Sequence, residues 1–159
     1  KLKEITNMKK SISNPLLYKY LCELDAKQFK VFYGILVHCR AHGNNFISTN
    51  NFFKLWCELN ILCYDTDRSF PCPYSDRKAL KAYCHNHPYY FIDILPLETV
   101  AKLFAEYCDE HLDVLARVVR ILSRQGSRAA HRYIMVTFCL DHTLDELVSD
   151  SEEHIEAYS

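Results

Sequence analysis

Residues 97–126 read LETVAKLFAEYCDEHLDVLARVVRILSRQG, and this stretch decides the class of fold. Apolar residues recur in it at steps of three or four, the spacing that keeps side chains on one face of an α-helix. These residues are Val100, Leu103, Phe104, Tyr107, Cys108, Leu112, Leu115, Val118, Val119 and Leu122. The pattern predicts one long helix, or two in succession, ending at Gly126.

The sequence before this stretch carries the same helical spacing and the residues that cap helices. Proline in the first helical position starts a helix after Asn14. Asp25 caps a second helix, which closes at Gly43 because glycine readily adopts the left-handed conformation of helix ends. Thr49 or Asn50 caps a third helix. We expect the second helix to be the central apolar helix of the fold.

A loop and shorter elements fill the rest of the chain. Residues 64–74 have the aspartates and prolines of a loop. Ser75 caps a helix that Pro88 ends, and residues 89–92 form an aromatic hinge after it. Apolar residues in the range 133–148 predict a further helix.

Length and composition agree with one all-α domain. A chain of 159 residues has the size of a single domain, and three glycines with five prolines are few for the frequent turns of an all-β fold. We therefore expect a polar N-terminal lead at residues 1–13 and a single helical bundle of seven or eight helices at residues 14–159.

Charge and cysteine usage narrow the class of function. A net charge of −1 supplies no overall basic field, so we do not expect nucleic acid as the main partner. None of the eight cysteines forms a C-x-x-C pair, and most fall in apolar helical runs, which indicates reduced core residues in a cytoplasmic protein. The first residues lack the apolar stretch of a signal peptide, and no apolar run is long enough to span a membrane.

Histidines and cysteines raise the hypotheses of a metal site and of an enzyme. Cys84, His85, His87, Cys108 and His111 include the ligand types of zinc, but their spacing matches no structural zinc motif, so we expect no metal. A cysteine–histidine nucleophilic pair stays open as a third hypothesis. Because no glycine-flanked nucleophile or phosphate-binding glycine loop is present, we expect a binding protein without a cofactor rather than an enzyme.

Five arginines follow one another at steps of three and four residues, which predicts a stripe on one helical face. They are Arg117, Arg120, Arg124, Arg128 and Arg132. The simplest interpretation is a solvated face. Two functional interpretations stand beside it: a guanidinium that holds a carboxylate of a partner helix, or phosphate contacts in a helical or winged-helix nucleic-acid-binding module.

The order of these features resembles the Bcl-2 family of apoptosis regulators. Residues 34–46 resemble the family's first conserved helix, which ends in a basic residue, glycine and an aromatic. Residues 75–91 occupy the place of the family's own death-motif helix, with Leu80 at its signature leucine. Cys84 and His85 stand where the family has glycine and aspartate.

Two later segments continue the resemblance. Residues 115–122 resemble the segment in which the family carries tryptophan, glycine and arginine. Residues 140–150 resemble its late homology region, and Tyr158 lies near the aromatic that ends that region. The resemblance thus covers the chain roughly from residue 29 to residue 158.

The resemblance implies a groove that binds an amphipathic helix. Arg117 falls on the family's groove arginine, which pairs with the aspartate of a bound death-motif helix. Leu115 and Ala116 replace the tryptophan and glycine beside it. The residues implied to line the groove floor are Val100, Leu103, Phe104, Leu115 and Val118.

The implied function is inhibition of apoptosis by sequestering the death-motif helices of pro-apoptotic Bcl-2 family proteins. The nucleic-acid-binding module that uses the stripe from Arg117 to Arg132 is the alternative. Strong divergence with the core pattern retained resembles a viral member of the family, acting in the host cytoplasm or at the mitochondrial outer membrane. Whether the chain forms a homodimer stays open.

Overall fold

The computed structural model describes residues 13–138, which form eight α-helices and no β-strand. In chain order the helices are α1 (Pro15–Cys22), α2 (Ala26–Ala41), α3 (Thr49–Thr66), α4 (Arg77–Asn86), α5 (Tyr90–Ile94), α6 (Leu97–Tyr107), α7 (Leu112–Gln125) and α8 (Ser127–Phe138). The predicted all-α class is therefore confirmed for this part of the chain. No helix within it is long and apolar enough to cross a membrane.

Helix α2 begins and ends where the sequence predicts. The Asp25 carboxylate accepts a hydrogen bond from the Gln28 backbone N–H at 2.8 Å, and the Gln28 side-chain oxygen accepts one from the Asp25 N–H at 2.9 Å. This reciprocal pair satisfies two donors that a helix start leaves free. Beyond the other end, Gly43 has φ +83°, the left-handed conformation that favours glycine.

The caps of two helices differ from the prediction by one residue. Ser48, rather than Thr49 or Asn50, caps α3, and its hydroxyl oxygen accepts from the Asn51 N–H at 3.4 Å. Asp76, rather than Ser75, caps α4 through its carboxylate. In both places several adjacent residues are of types that can cap a helix. The path of the preceding loop decides which of their side chains reaches the free backbone N–H.

Residues 97–126 form two helices, which decides between the two predicted outcomes. After α6 the Asp109 and Glu110 N–H groups both donate to the Phe46 carbonyl oxygen at 3.1 Å. The Asp109 carboxylate accepts from the Ser48 N–H at 2.8 Å and from the Asn51 side chain at 3.1 Å. The helix is therefore interrupted where the chain binds the start of α3. A new helix, α7, begins after His111, which has φ +51°.

The predicted aromatic hinge at residues 89–92 lies largely within α5, and it is buried. The predicted loop at residues 64–74 starts later, because α3 continues to Thr66. The polar lead up to residue 12, the predicted helix beyond Phe138 and the segment at residues 140–150 with Tyr158 lie outside the described residues.

The core is centred on aromatic contacts between α2 and α6. Phe104 of α6 packs edge-to-face against Phe29 and Phe32 of α2, with ring centroids 5.5 and 6.0 Å apart. Tyr33 and Phe91 extend this cluster to α5. Helix α2, expected to be central, therefore shares the centre with α6. Around this pair, α1 packs against α6 and α7, α3 packs against α5 and α6, and α7 and α8 pack against each other.

Polar contacts fix α1 to the bundle. The Asn14 side chain donates to the Ala105 and Cys108 carbonyl oxygens at 2.6 and 3.2 Å, so it binds the end of α6 and makes no side-chain cap on α1. Arg120 of α7 pairs with Glu23 at 3.1 Å and stacks over the Tyr20 ring. These contacts hold α1 across the α6–α7 junction.

We expect Phe104→Ala to lower the free energy of unfolding by about 3–5 kcal/mol, because it leaves a cavity where three aromatic rings meet. Leu16→Ala is the matched control, since that side chain is 55% exposed, and its effect should stay within about 0.5 kcal/mol. Urea denaturation followed by circular dichroism measures both. Equal losses in the two variants would contradict the assignment of the core.

Candidate functional site

Five of the seven predicted site residues lie in the hydrophobic core. They are Val100, Leu103, Phe104, Leu115 and Val118. Their side chains are buried by neighbouring helices, and Phe104 also borders a pocket beside α3. Ala116 is half-buried, and Arg117 is exposed, with no hydrogen bond or ion pair to another described residue. Leu115 and Val118, which lie beside Arg117 in the sequence, are thus core residues.

The arginine series does not form a stripe on one helix. Gly126, with φ +97°, separates α7 from α8, so Arg117, Arg120 and Arg124 lie on a different helix from Arg128 and Arg132. Arg120 is also engaged with α1. The prediction of a single helical face is wrong, because a spacing of three and four residues places side chains on one face only within one helix, and the turn at Gly126 starts another. A nucleic-acid interface that uses these arginines would therefore combine residues of two helices.

The histidines and cysteines singled out from the sequence are not grouped around a common point. Cys108 is buried at the end of α6. His85 and His87 are exposed, and the His87 ring stacks on Tyr83 with centroids 4.3 Å apart. Within the described residues, no group of three or more histidine, cysteine, aspartate or glutamate side chains is placed to hold a metal ion.

Three neighbouring pockets border α3, and the third of them is lined mainly by residues of α2. The first, of about 270 Å³, lies between α3 and α4, and its lining includes Phe53, Trp56, Ile61, Tyr74, Leu80 and Lys81. The second, of about 130 Å³, is lined by Tyr33, Phe52, Leu55, Trp56, Pro88 and Phe104 among others. The third is a shallow pocket of about 20 Å³ next to Tyr33, Val37, Arg40 and Phe52. Neighbouring pockets share the lining residues Trp56 and Phe52, and we call the three together the α3 groove.

The α3 groove is apolar, with cations at both ends. Phe53 is 64% exposed and Tyr74 80% exposed, which is unusual for such large rings at one place on a surface. Arg77 lines the first pocket beside Lys81. At the opposite end, Arg40 stacks over the Phe52 ring at 4.5 Å and donates to the Ile47 carbonyl oxygen at 3.1 Å. An elongated ligand with an apolar face and acidic flanks fits this surface.

No family model, curated protein or solved structure matches this chain.

The sequence contained one signal of this groove that helical periodicity did not use. Phe52, Phe53 and Trp56 are close together on α3, and two adjacent residues of a helix point in directions about 100° apart. Phe52 and Phe53 therefore cannot both face the same core. Of the predicted site residues, Phe104 also lines the groove, at the bottom of its second pocket.

The cysteines differ in the chemistry that their surroundings allow. Burial raises the pKa of Cys39 and of Cys63 to about 12 and also raises that of Cys108, so these thiols stay protonated. Hydrogen bonds from the Ser75 side chain and from the Tyr74 and Ser75 backbone lower the pKa of Cys72. Cys72 therefore has the most favourable setting for a thiolate among these four, in the loop that leads to the groove residue Tyr74.

We expect iodoacetamide near neutral pH to label Cys72 well before Cys39, Cys63 and Cys108. Because its pKa is lowered, the thiolate of Cys72 forms at lower pH than an ordinary thiolate, and its labelling rate should rise earlier in a pH series. Peptide mapping by mass spectrometry measures the order of labelling. Unfolding in urea should remove the difference, and a folded protein that labels all four equally would contradict the described burial.

Proposed function

We propose that this chain is a protein-interaction domain that holds an amphipathic helix of a partner protein in the α3 groove. The observation that carries the proposal is that three neighbouring pockets share lining residues, with Trp56 common to the first two and Phe52 to the last two. A bound helix presents apolar anchors at successive turns, and a row of pockets is the complementary surface.

The apolar anchors would supply most of the affinity. Each large apolar side chain that leaves water on binding contributes about 1.5–3 kcal/mol of transfer free energy. Contacts between exposed charges contribute about 0–1 kcal/mol. Arg40 and Arg77 at opposite ends of the groove would therefore orient a partner that carries acidic residues and exclude one with basic flanks.

The resemblance to the Bcl-2 family favours the death-motif helices of pro-apoptotic proteins as occupants, and sequestering them would inhibit apoptosis. The all-helical fold and the elongated apolar surface support this proposal. The placement differs from the one implied by the resemblance, because the apolar neighbours of Arg117 are in the core.

Isothermal titration with a panel of synthetic death-motif peptides tests the proposal. We expect at least one peptide to bind, and Phe53→Ser or Tyr74→Ser to weaken it about tenfold or more through loss of apolar contact. Both side chains are largely exposed, so folding should be unaffected. Leu16→Ser, a change of similar exposure on α1, is the control and should bind normally. Absence of binding by every peptide would refute the proposal.

Two charge reversals decide where the helix docks. In the α3 groove, Arg77→Glu should weaken the best peptide several-fold and reduce the salt dependence of binding, whereas Arg117→Glu should leave both unchanged. Binding affinities of the two variants at low and high salt give the answer. If Arg117→Glu weakens binding and Arg77→Glu does not, the helix docks at the position implied by the resemblance.

A further inference from the structure

The first pocket of the α3 groove has the size and the lining of a site for a small molecule. Its volume is about 270 Å³. An apolar cavity of about 150 Å³ holds a benzene molecule, so this pocket has room for one ring with a short chain. The apolar residues of its lining come from α3, α4 and the loop between them, and they are Phe53, Trp56, Ile61, Pro73, Tyr74 and Leu80.

The charged side chains that line this pocket are both cations. Arg77 and Lys81 are four residues apart on α4, so they lie on the same side of the helix. Both are exposed, and neither forms an ion pair with another described residue. Among the described residues that line the pocket, none is aspartate or glutamate. The edge of the pocket therefore attracts an anion.

The position of Arg77 in α4 strengthens this preference. Arg77 is the first residue of the helix, where the helix dipole favours an anion and disfavours a cation. The helix start is already capped, because the Asp76 carboxylate accepts a hydrogen bond from the Ala79 N–H at 3.0 Å. Helix formation thus gives no reason for a cation at this position. An anion bound beside it would be stabilised by the guanidinium and by the dipole.

The pocket can be reached from water. Phe53 and Tyr74, which border it, are largely exposed, as are the two cations. A ligand therefore reaches the pocket without a rearrangement of the core. Once bound, it removes its own apolar surface and that of the rings from water, which favours binding.

We infer that the first pocket binds a small hydrophobic anion, namely a carboxylate whose apolar body is one ring with a short chain. The ring would lie against Trp56 and Ile61, and the carboxylate would pair with Arg77 or Lys81 at the edge. The apolar body would supply most of the affinity, because pairs of exposed charges contribute little. The cations would decide which of several ligands with the same body binds best.

This site goes beyond the proposed function, because its ligand is a free small molecule that binds in the absence of any partner protein. Both occupants need the space beside Trp56, which lines the first and second pockets. They would therefore compete, and the concentration of the small molecule would regulate how much partner is held. The two ideas are tested separately, since ligand binding is measured without a peptide.

Three compounds with the same apolar body and different charges test the inference. They are phenylbutyrate, phenylbutanol and phenylbutylamine, which are anionic, neutral and cationic near neutral pH. Trp56 is the single tryptophan of the chain, so a change in its fluorescence reports binding beside it. We expect phenylbutyrate to bind about fivefold more tightly than phenylbutanol, and phenylbutylamine to bind more weakly than either. Equal affinities, or no binding of phenylbutyrate, would overturn the inference.

Variants of the two cations assign the charge preference to this pocket. The double variant Arg77→Gln, Lys81→Gln should lower the affinity for phenylbutyrate about fivefold, to that of phenylbutanol. Lys78→Gln is the matched control, because Lys78 is an exposed cation of the same helix and is not among the lining residues. If both proteins lose the same affinity, the preference comes from the general charge of the surface and the inference is wrong.

A measurement on the unmodified protein locates the ligand without any variant. In protein labelled with ¹³C at the isoleucine methyl groups, the ring protons of phenylbutyrate should show nuclear Overhauser contacts to Ile61 and none to Ile121 of α7. Contacts to other isoleucines but not to Ile61 would contradict the assigned site. If phenylbutyrate binds and no death-motif peptide does, the inference stands and the proposed function fails. The reverse result removes the inference alone.

Discussion

Phe104 packs edge-to-face against Phe29 and Phe32, and the positions of the other helices follow from that contact. Because it holds α6 against α2 at the centre, α6 must be covered on its remaining sides, and α1 and α3 cover it. Helix α3 uses Leu55 and Leu59 for this purpose. Phe53 lies on the part of α3 that the core does not use, and Trp56 packs at the edge of the core, which is why apolar pockets border this helix.

Features that depend on neighbouring residues were predictable from the sequence, whereas features that depend on distant contacts were not. The Asp25 capping box and the end of α2 at Gly43 are local, so the sequence carries all the information that decides them. The break between α6 and α7 depends on Asp109, whose carboxylate binds the start of α3. No pattern within residues 97–126 contains that partner.

The candidate site was harder to predict for a related reason. Helical periodicity identifies the apolar face of a helix, but it does not distinguish a face that is buried in the core from one that a ligand covers. Val100 and Leu115 have the pattern expected of a groove floor, and the core covers them. Phe53 lies outside the regular pattern of α3, and it is the ring that the core leaves exposed. Irregular aromatic residues on an amphipathic helix were the better signal.

The α3 groove combines a fixed floor with an adaptable rim. Tyr90, which donates to Asn60, also stacks on Phe70 with centroids 5.4 Å apart, and Phe70 in turn meets Tyr83 of α4. These packed rings, of which Phe70 and Tyr90 are buried, connect α3, α4 and α5 next to the first pocket, so that its inner side is preformed. The rim side chains Phe53 and Tyr74 are largely exposed. Since a preformed floor reduces the entropy lost on binding, selectivity should arise at the floor, whereas the rim tolerates variation in the partner.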